Sequence, residues 1–390
     1  RNSRGHQYQK FTKSSIFNPF FKVFGLSSLF QHASYLSVLL PVVCVHDVLQ
    51  ALLKRHTELT PSPAEQAAVL HLVTKIETVV ENLAVVPGDF AAFQLLMVRH
   101  VGAFKQGTML KGDNSADLVF ILKTLPTKEA VEGLSAKVAK DETKPGEPVL
   151  SVQTTVNILE GGFTVTYGDA SVRVLVSTVN QNLRKLKPDV HLPYEIQRAH
   201  SSAIGHTMWF EENAQHSSIK VLVRLLKDLC RRHSGLSPLK PWLLDTLAHY
   251  AIMNYPTRTP LPLNVAFRRV LQLLSSGFYL PGAMGAGGGG RGLRGGPAHT
   301  ALGPEELDRA TMTAQTLLRV LARGGHAYVL GLQEFEDDWL RETFLWIDTS
   351  ITPEDADPRF PTHPSYFSFP EIPLLTFCKK NLHTASPELT

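Results

Sequence analysis

Apolar residues recur at helical spacing through Leu49, Leu52 and Leu53, and again through Val69, Leu70, Leu72, Val73, Ile76, Val79, Val80 and Leu83. Between them stands the break Thr60-Pro-Ser-Pro63. The pattern predicts two amphipathic helices between Asp47 and Glu81. Ser62 and Glu65 form a capping box at the start of the second, with Pro63 at its first position. Short apolar runs then predict strands near Phe93–Val101 and Leu118–Leu122. Pro126-Thr127 opens a helix over Lys128–Val138, and the polar stretch Ala139–Pro148 reads as a linker. Val149–Ile158, Phe163–Tyr167 and Ala170–Ser177, punctuated by Gly161-Gly162, read as strands in a hairpin-like region.

The rest of the ordered pattern is helical. Periods near 3.6 predict helices over His200–Asn213, Ser218–Arg232, Pro241–Asn254, Leu263–Leu274 and Pro304–Leu321, the last stopped by Gly324-Gly325. The expected fold class is α+β, a mixed sheet with flanking helices followed by an all-helical domain. Residues 1–46 form a divergent segment, apolar but interrupted, expected to be poorly ordered. The sheet lobe spans 47–192, and the helical lobe spans 193–332 with a flexible Gly-rich loop at 281–303. Residues 333–390, Pro-rich in their second part, are expected to be a largely disordered tail.

Composition changes this picture little. With 390 residues, 43% of them hydrophobic, the chain can bury one large or two medium cores. A formal charge of +4 permits contact with polyanions without demanding it. Cys44, Cys230 and Cys378 are too far apart for a zinc-finger pair, and the 16 histidines follow no metal-binding spacing, so no metal is expected. The longest clean apolar run near the start is short of the ~20 residues a membrane helix needs, and no membrane contact is expected.

Candidate chemistry lies in Val101–Leu122. Gly102, Gly107 and Gly112 are small residues of the kind that let backbone N–H groups approach phosphate, although an ordinary turn-rich loop would have them too. Ser115 and Asp117 open the strand that follows and share one of its faces. Two dications need several carboxylates. One Asp does not supply them; Asp113 and Asp169 are the other acids at hand. On the helix over Ser218–Arg232, Lys220, Arg224, Lys227 and Arg231 form a cationic stripe, which reads as a solvated face or as a polyphosphate grip.

The segment resembles the active-site strand of the oligoadenylate synthetase superfamily, and more closely the DZF family (domain associated with zinc fingers). Blocks in order carry the resemblance, among them Ala51-Leu-Leu-Lys-Arg55, Gly107-Thr-Met109, Ala116-Asp-Leu-Val119, Asn182-Leu-Arg-Lys-Leu186, Trp209-Phe-Glu-Glu-Asn-Ala214 and Thr313-Ala-Gln-Thr-Leu317. It covers roughly residues 50–332. The resemblance implies a nucleotidyltransferase-like fold with vestigial catalytic positions at Ser115, Asp117 and Arg173, the last standing where active relatives carry their third catalytic Asp. It implies that Arg224-Leu-Leu-Lys227 matches an Arg-x-x-Lys element that grips triphosphates. Trp242 would lie where the base sits, and Gly102 and Ala103 would match a Gly-Ser phosphate pair. No cofactor is then required, and a nucleoside triphosphate could bind without turnover. The implied role is a catalytically inactive subunit that dimerises through its helical lobe and acts in transcription regulation and RNA processing. Its partner would be a DZF-containing double-stranded RNA-binding protein or a zinc-finger DZF protein, contacting RNA and DNA mainly on the subunit's behalf. The expected location is the nucleus, with the nucleolus and some cytoplasm. The alternative is an active template-independent nucleotidyltransferase using Asp117.

Overall fold

The computed structural model describes residues 42–85, 94–141, 153–157, 160–253, 259–279 and 302–333. The segment 1–41, most of the Gly-rich loop and the tail from 334, including Cys378, lie outside the described residues.

The chain opens with α1 (Val42–Leu59) and α2 (Pro63–Val85). The capping box forms as predicted: the Ser62 N–H donates to Glu65 Oε2 at 2.6 Å, and the Glu65 N–H to Ser62 Oγ at 3.2 Å. Next come β1 (Leu95–Val101), the single-turn α3 (Gly102–Gln106), β2 (Ser115–Leu122) and α4 (Lys128–Asp141). Strands β3 (Gln153–Asn157), β4 (Gly162–Tyr167) and β5 (Ala170–Thr178) complete one sheet of order β1-β2-β5-β4-β3. Among the described strands only β2 and β5 run parallel, so the sheet is mixed, as expected.

Strand alternation divides the sheet between two cores. Ala116, Leu118, Phe120 and Leu122 of β2, with Val172, Val174 and Val176 of β5, pack beneath α2 and α4. On the opposite face Val119 and Leu175 pack with Ala203 and Ile204 of α5 (Tyr194–Asn213). That cover does not reach the start of β2, where Ser115, Asp117 and Arg173 stay in contact with solvent.

Helices α6 (Ser217–Arg232), α7 (Pro241–Met253), α8 (Leu263–Ser275), α9 (Pro304–Ala322) and α10 (His326–Val329) build the helical half. Its core draws on Leu222, Leu226, Leu247, Phe267, Val270 and Leu317, all essentially inaccessible. Leu52 of α1 belongs to this core rather than to the sheet's. Arg55 of α1 grips the buried Asp228 with two bonds, Nη2 to Oδ1 at 2.8 Å and Nε to Oδ2 at 3.1 Å. Arg232 Nε donates to the same carboxylate at 3.0 Å. Among the described residues no helix is long and apolar enough to cross a membrane.

Two local features differ from the sequence pattern. α5 starts six residues before the predicted His200, because Pro193 sets the entry and Tyr194 to Ala199 continue the helix. The glycine segment after β1 is not loop throughout. Residues 102–106 make one helical turn, ended by Gly107 in the left-handed region at φ 69°.

Candidate functional site

Parallel pairing of β2 with β5 places Asp117 directly beside Arg173. Arg173 Nε donates to Asp117 Oδ1 at 2.8 Å, and its Nη1 is 4.0 Å from Glu160 Oε2. Burial disfavours the charged guanidinium, but attraction to Asp117 and the bond between them outweigh it, so the Arg173 pKa moves upward. Ser115, two residues before Asp117 and on the same face, brings a neutral hydroxyl. The three positions therefore offer one carboxylate, one hydroxyl and one fixed cation. That set does not fit a pair of dications, which a guanidinium at the same place repels. Among the described residues no three His, Cys, Asp or Glu side chains gather as a metal site. The other acids do not complete one either. Asp113 is ion-paired with Arg231 of α6, and Asp169 sits exposed in the turn between β4 and β5.

Gly102 follows β1 at φ 74°, and its backbone passes so close to Asp117 that a Cβ there would stand 2.5 Å from Oδ2. Glycine's freedom of φ and lack of a side chain are both needed here. Ala103 follows in α3, and its carbonyl accepts the Thr108 N–H at 2.9 Å. Gly102 thus adjoins Asp117, and Ala103 follows it in the chain.

Arg224 and Lys227 meet the loop after α3 instead of solvent. Arg224 Nη2 donates to the Gly107 carbonyl at 2.8 Å, and its Nε to that of Met109 at 3.1 Å. Lys227 Nζ donates to the Thr108 carbonyl at 3.2 Å and to Thr108 Oγ1 at 2.9 Å. Arg231 pairs with Asp113 further along the same loop. From the other side Glu65 Oε1 accepts the Gly112 N–H at 3.0 Å, and the Lys111 N–H bonds the Leu59 carbonyl at 2.9 Å. Burial pushes the pKa of Lys227 down, with Asp245 and Asp113 opposing it, and burial lowers that of Arg224 too. Arg224, Lys227 and Arg231 of the stripe clamp residues 107–113, whereas Lys220 Nζ donates to Gln215 Oε1 at 3.3 Å; the solvated-face reading of Arg224 and Lys227 is set aside.

Trp242, at the start of α7, is partly buried in an aromatic cluster. It meets His206 edge-on at 4.5 Å and Trp209 at 5.1 Å between ring centroids. His206 Nε2 lies 2.7 Å from Oδ2 of Asp245, whose side chain is wholly buried and whose Oδ1 has no hydrogen-bond partner. Sequence reasoning missed Asp245. Its signal is an acid inside the apolar run Leu243-Leu-Asp-Thr-Leu247, where burial needs a partner. Thr207, whose hydroxyl faces the Gly102 N–H at 3.4 Å, and Glu160 carried no signal at all.

A family model described as the DZF N-terminal domain matches residues 41–215, and one described as the DZF C-terminal domain matches residues 218–352. Together they reach beyond the 50–332 that the sequence blocks span. Solved structures are similar at low identity. An E. coli MS115-1 CdnC structure with ATP is 12% identical, covers 77% of this chain and 96% of its own, and has a TM-score of 0.48. A Cid1 poly(U) polymerase structure with bound Mg 3'-dATP is 10% identical over 76% of this chain and 98% of its own, with a TM-score of 0.46.

Proposed function

The chain belongs to the DZF family, and from that membership we propose that it is a catalytically inactive nucleotidyltransferase-fold subunit of a heterodimer formed through its helical half. Within the family its sequence resembles interleukin enhancer-binding factor 2. Its partner is a DZF-containing double-stranded RNA-binding protein similar to interleukin enhancer-binding factor 3, or a zinc-finger DZF protein. The pair works in the nucleus, in transcription regulation and RNA processing, and the partner supplies most contact with RNA and DNA.

The observation that carries this reading is the 2.8 Å bond from Arg173 to Asp117. In a working transferase, carboxylates hold the metals that neutralise developing phosphate charge. Here the one carboxylate is already neutralised by the residue beside it, and Ser115 adds no charge. No cofactor is required. A nucleoside triphosphate entering the site has to displace the loop carbonyls from Arg224 and Lys227, so it binds weakly and is not turned over.

Two experiments test the reading. Full-length chain with labelled nucleoside triphosphates and Mg²⁺ or Mn²⁺ is expected to transfer nothing beyond the Asp117→Ala background. In cell extract it is expected to co-purify with a DZF protein carrying double-stranded RNA-binding domains or zinc fingers; a stable monomer that ignores both contradicts the partner claim.

A further inference from the structure

A concentration of cations lies at the opposite end of the parallel pair from Asp117, and the candidate site does not use it. Beyond β2 stand Lys123 and Lys128. The connection from β5 to α5 brings Arg184, Lys185 and Lys187, and Arg198 follows one turn into α5. All six are exposed. Arg55, Arg173, Arg231 and Arg232 are each matched by a carboxylate. None of these six enters an ion pair among the described residues. Residues 122–129 and 180–198 hold six cations against the three acids Glu129, Asp189 and Glu195, in a chain whose total formal charge is only +4.

The two segments are fastened to each other. Asn182 Nδ2 donates to the Lys123 carbonyl at 2.7 Å and to Thr178 Oγ1 at 2.8 Å, and Thr178 Oγ1 donates to the Leu122 carbonyl at 3.0 Å. Further on, Thr127 bridges His191 and the Leu192 N–H bonds the Pro126 carbonyl at 3.0 Å. The Lys187 N–H bonds His191 Nδ1 at 3.1 Å. The backbone beneath the cations is therefore ordered before any ligand arrives, which lowers the cost of binding. Like charges held together in excess over nearby acids weaken the fold by mutual repulsion unless a polyanion relieves it.

We infer that this face binds the phosphodiester backbone of a nucleic-acid duplex, without reading its sequence. Contacts from Lys and Arg to phosphates need no pocket, and these residues provide several on one ordered rim. An anionic membrane is the poorer match. Membrane-surface binding by cations usually adds an amphipathic helix with an apolar face to insert, and here most of the charge sits on a 3-10 turn and a loop. Because the face lies at the far end of the strands from Asp117, the subunit would add its own grip on nucleic acid to that of its partner without using the candidate site.

The test is fluorescence anisotropy of the full chain alone, with a labelled RNA duplex and a DNA duplex of the same sequence, across a salt series. Arg184→Ala/Lys185→Ala/Lys187→Ala is compared with the wild type and with Lys54→Ala/Lys240→Ala, exposed cations elsewhere. Thermal melts by circular dichroism verify that each variant is folded. The triple variant is expected to bind at least about tenfold more weakly near 0.1 M salt. The slope of log affinity against log salt is expected to fall by roughly 2 to 3, at about 0.9 for each phosphate no longer neutralised. Equal binding of both duplexes supports backbone contact alone, and an RNA preference supports added contact to the 2′-hydroxyl. Unchanged affinity and slope in the triple variant overturns the inference, as does an equal loss in the control. So does binding to phosphatidylserine vesicles with no binding to either duplex. None of these outcomes bears on turnover or co-purification, so failure here leaves the proposed function standing.

Discussion

At Asp117 and Arg173 the geometry sets both a chemical limit and a modest energy. The side chains are 26% and 47% exposed, so the bond contributes little to stability despite its 2.8 Å length. Arg173→Ala is expected to cost less than about 1 kcal/mol in urea unfolding. Gly102→Ala is expected to cost more, about 1–3 kcal/mol, because it adds both a disfavoured φ and a Cβ against the carboxylate. One buried and two partly buried histidines give a pH dependence. Burial lowers the pKa of His56, His200 and His249, and both ring nitrogens of His200 face carbonyls, those of Val176 and Glu160 at 2.9 Å. Below about pH 6.5 the unfolded chain takes up protons that the folded chain resists. Their contribution is therefore complete above that pH and is lost as pH falls through the window beneath it. Chemical denaturation at pH 7.5 and pH 5.5 is expected to show lower stability at pH 5.5, with a smaller difference in His200→Gln. An unchanged or higher stability at pH 5.5 contradicts this. Strand alternation put Ser115 and Asp117 on one face, and the family pattern singled out both of them and Arg173. The sequence could not announce Glu160 or Thr207, since each arrives at the site through packing between distant segments and neither interrupts a local pattern.

Among the elements, the cationic row of α6 was legible and its use was not. Spacing of three or four residues puts Arg224, Lys227 and Arg231 on one side of the helix. Only the tertiary structure shows that side facing residues 107–113. Thr108 is wholly buried, so its carbonyl depends on Lys227. Lys227→Met leaves that oxygen unpartnered, at a cost of roughly 1–3 kcal/mol. Hydrogen exchange across 107–113 is expected to accelerate in this variant while exchange in α9, away from the clamp, stays unchanged. Uniform acceleration in both would show a general loss of stability instead. Periodicity located most helices to within a few residues, because their buried faces repeat. The one-turn α3 escaped because five residues are too few to show a period.

For the whole molecule, sequence pattern anticipated an α+β chain with a mixed sheet followed by helices, and the structure has that arrangement. The membership of α1 was not legible, since an amphipathic helix records that it is buried and not what buries it. Leu52 and the Arg55–Asp228 pair place it with the helical half. The proposed absence of catalysis on this scaffold makes a direct chemical prediction. Its most direct test measures incorporation of a labelled nucleoside triphosphate by the purified chain, with Mg²⁺ or Mn²⁺, beside Asp117→Ala. The expected result is no incorporation above background in either protein, whereas turnover by the wild type that disappears in Asp117→Ala would contradict the account.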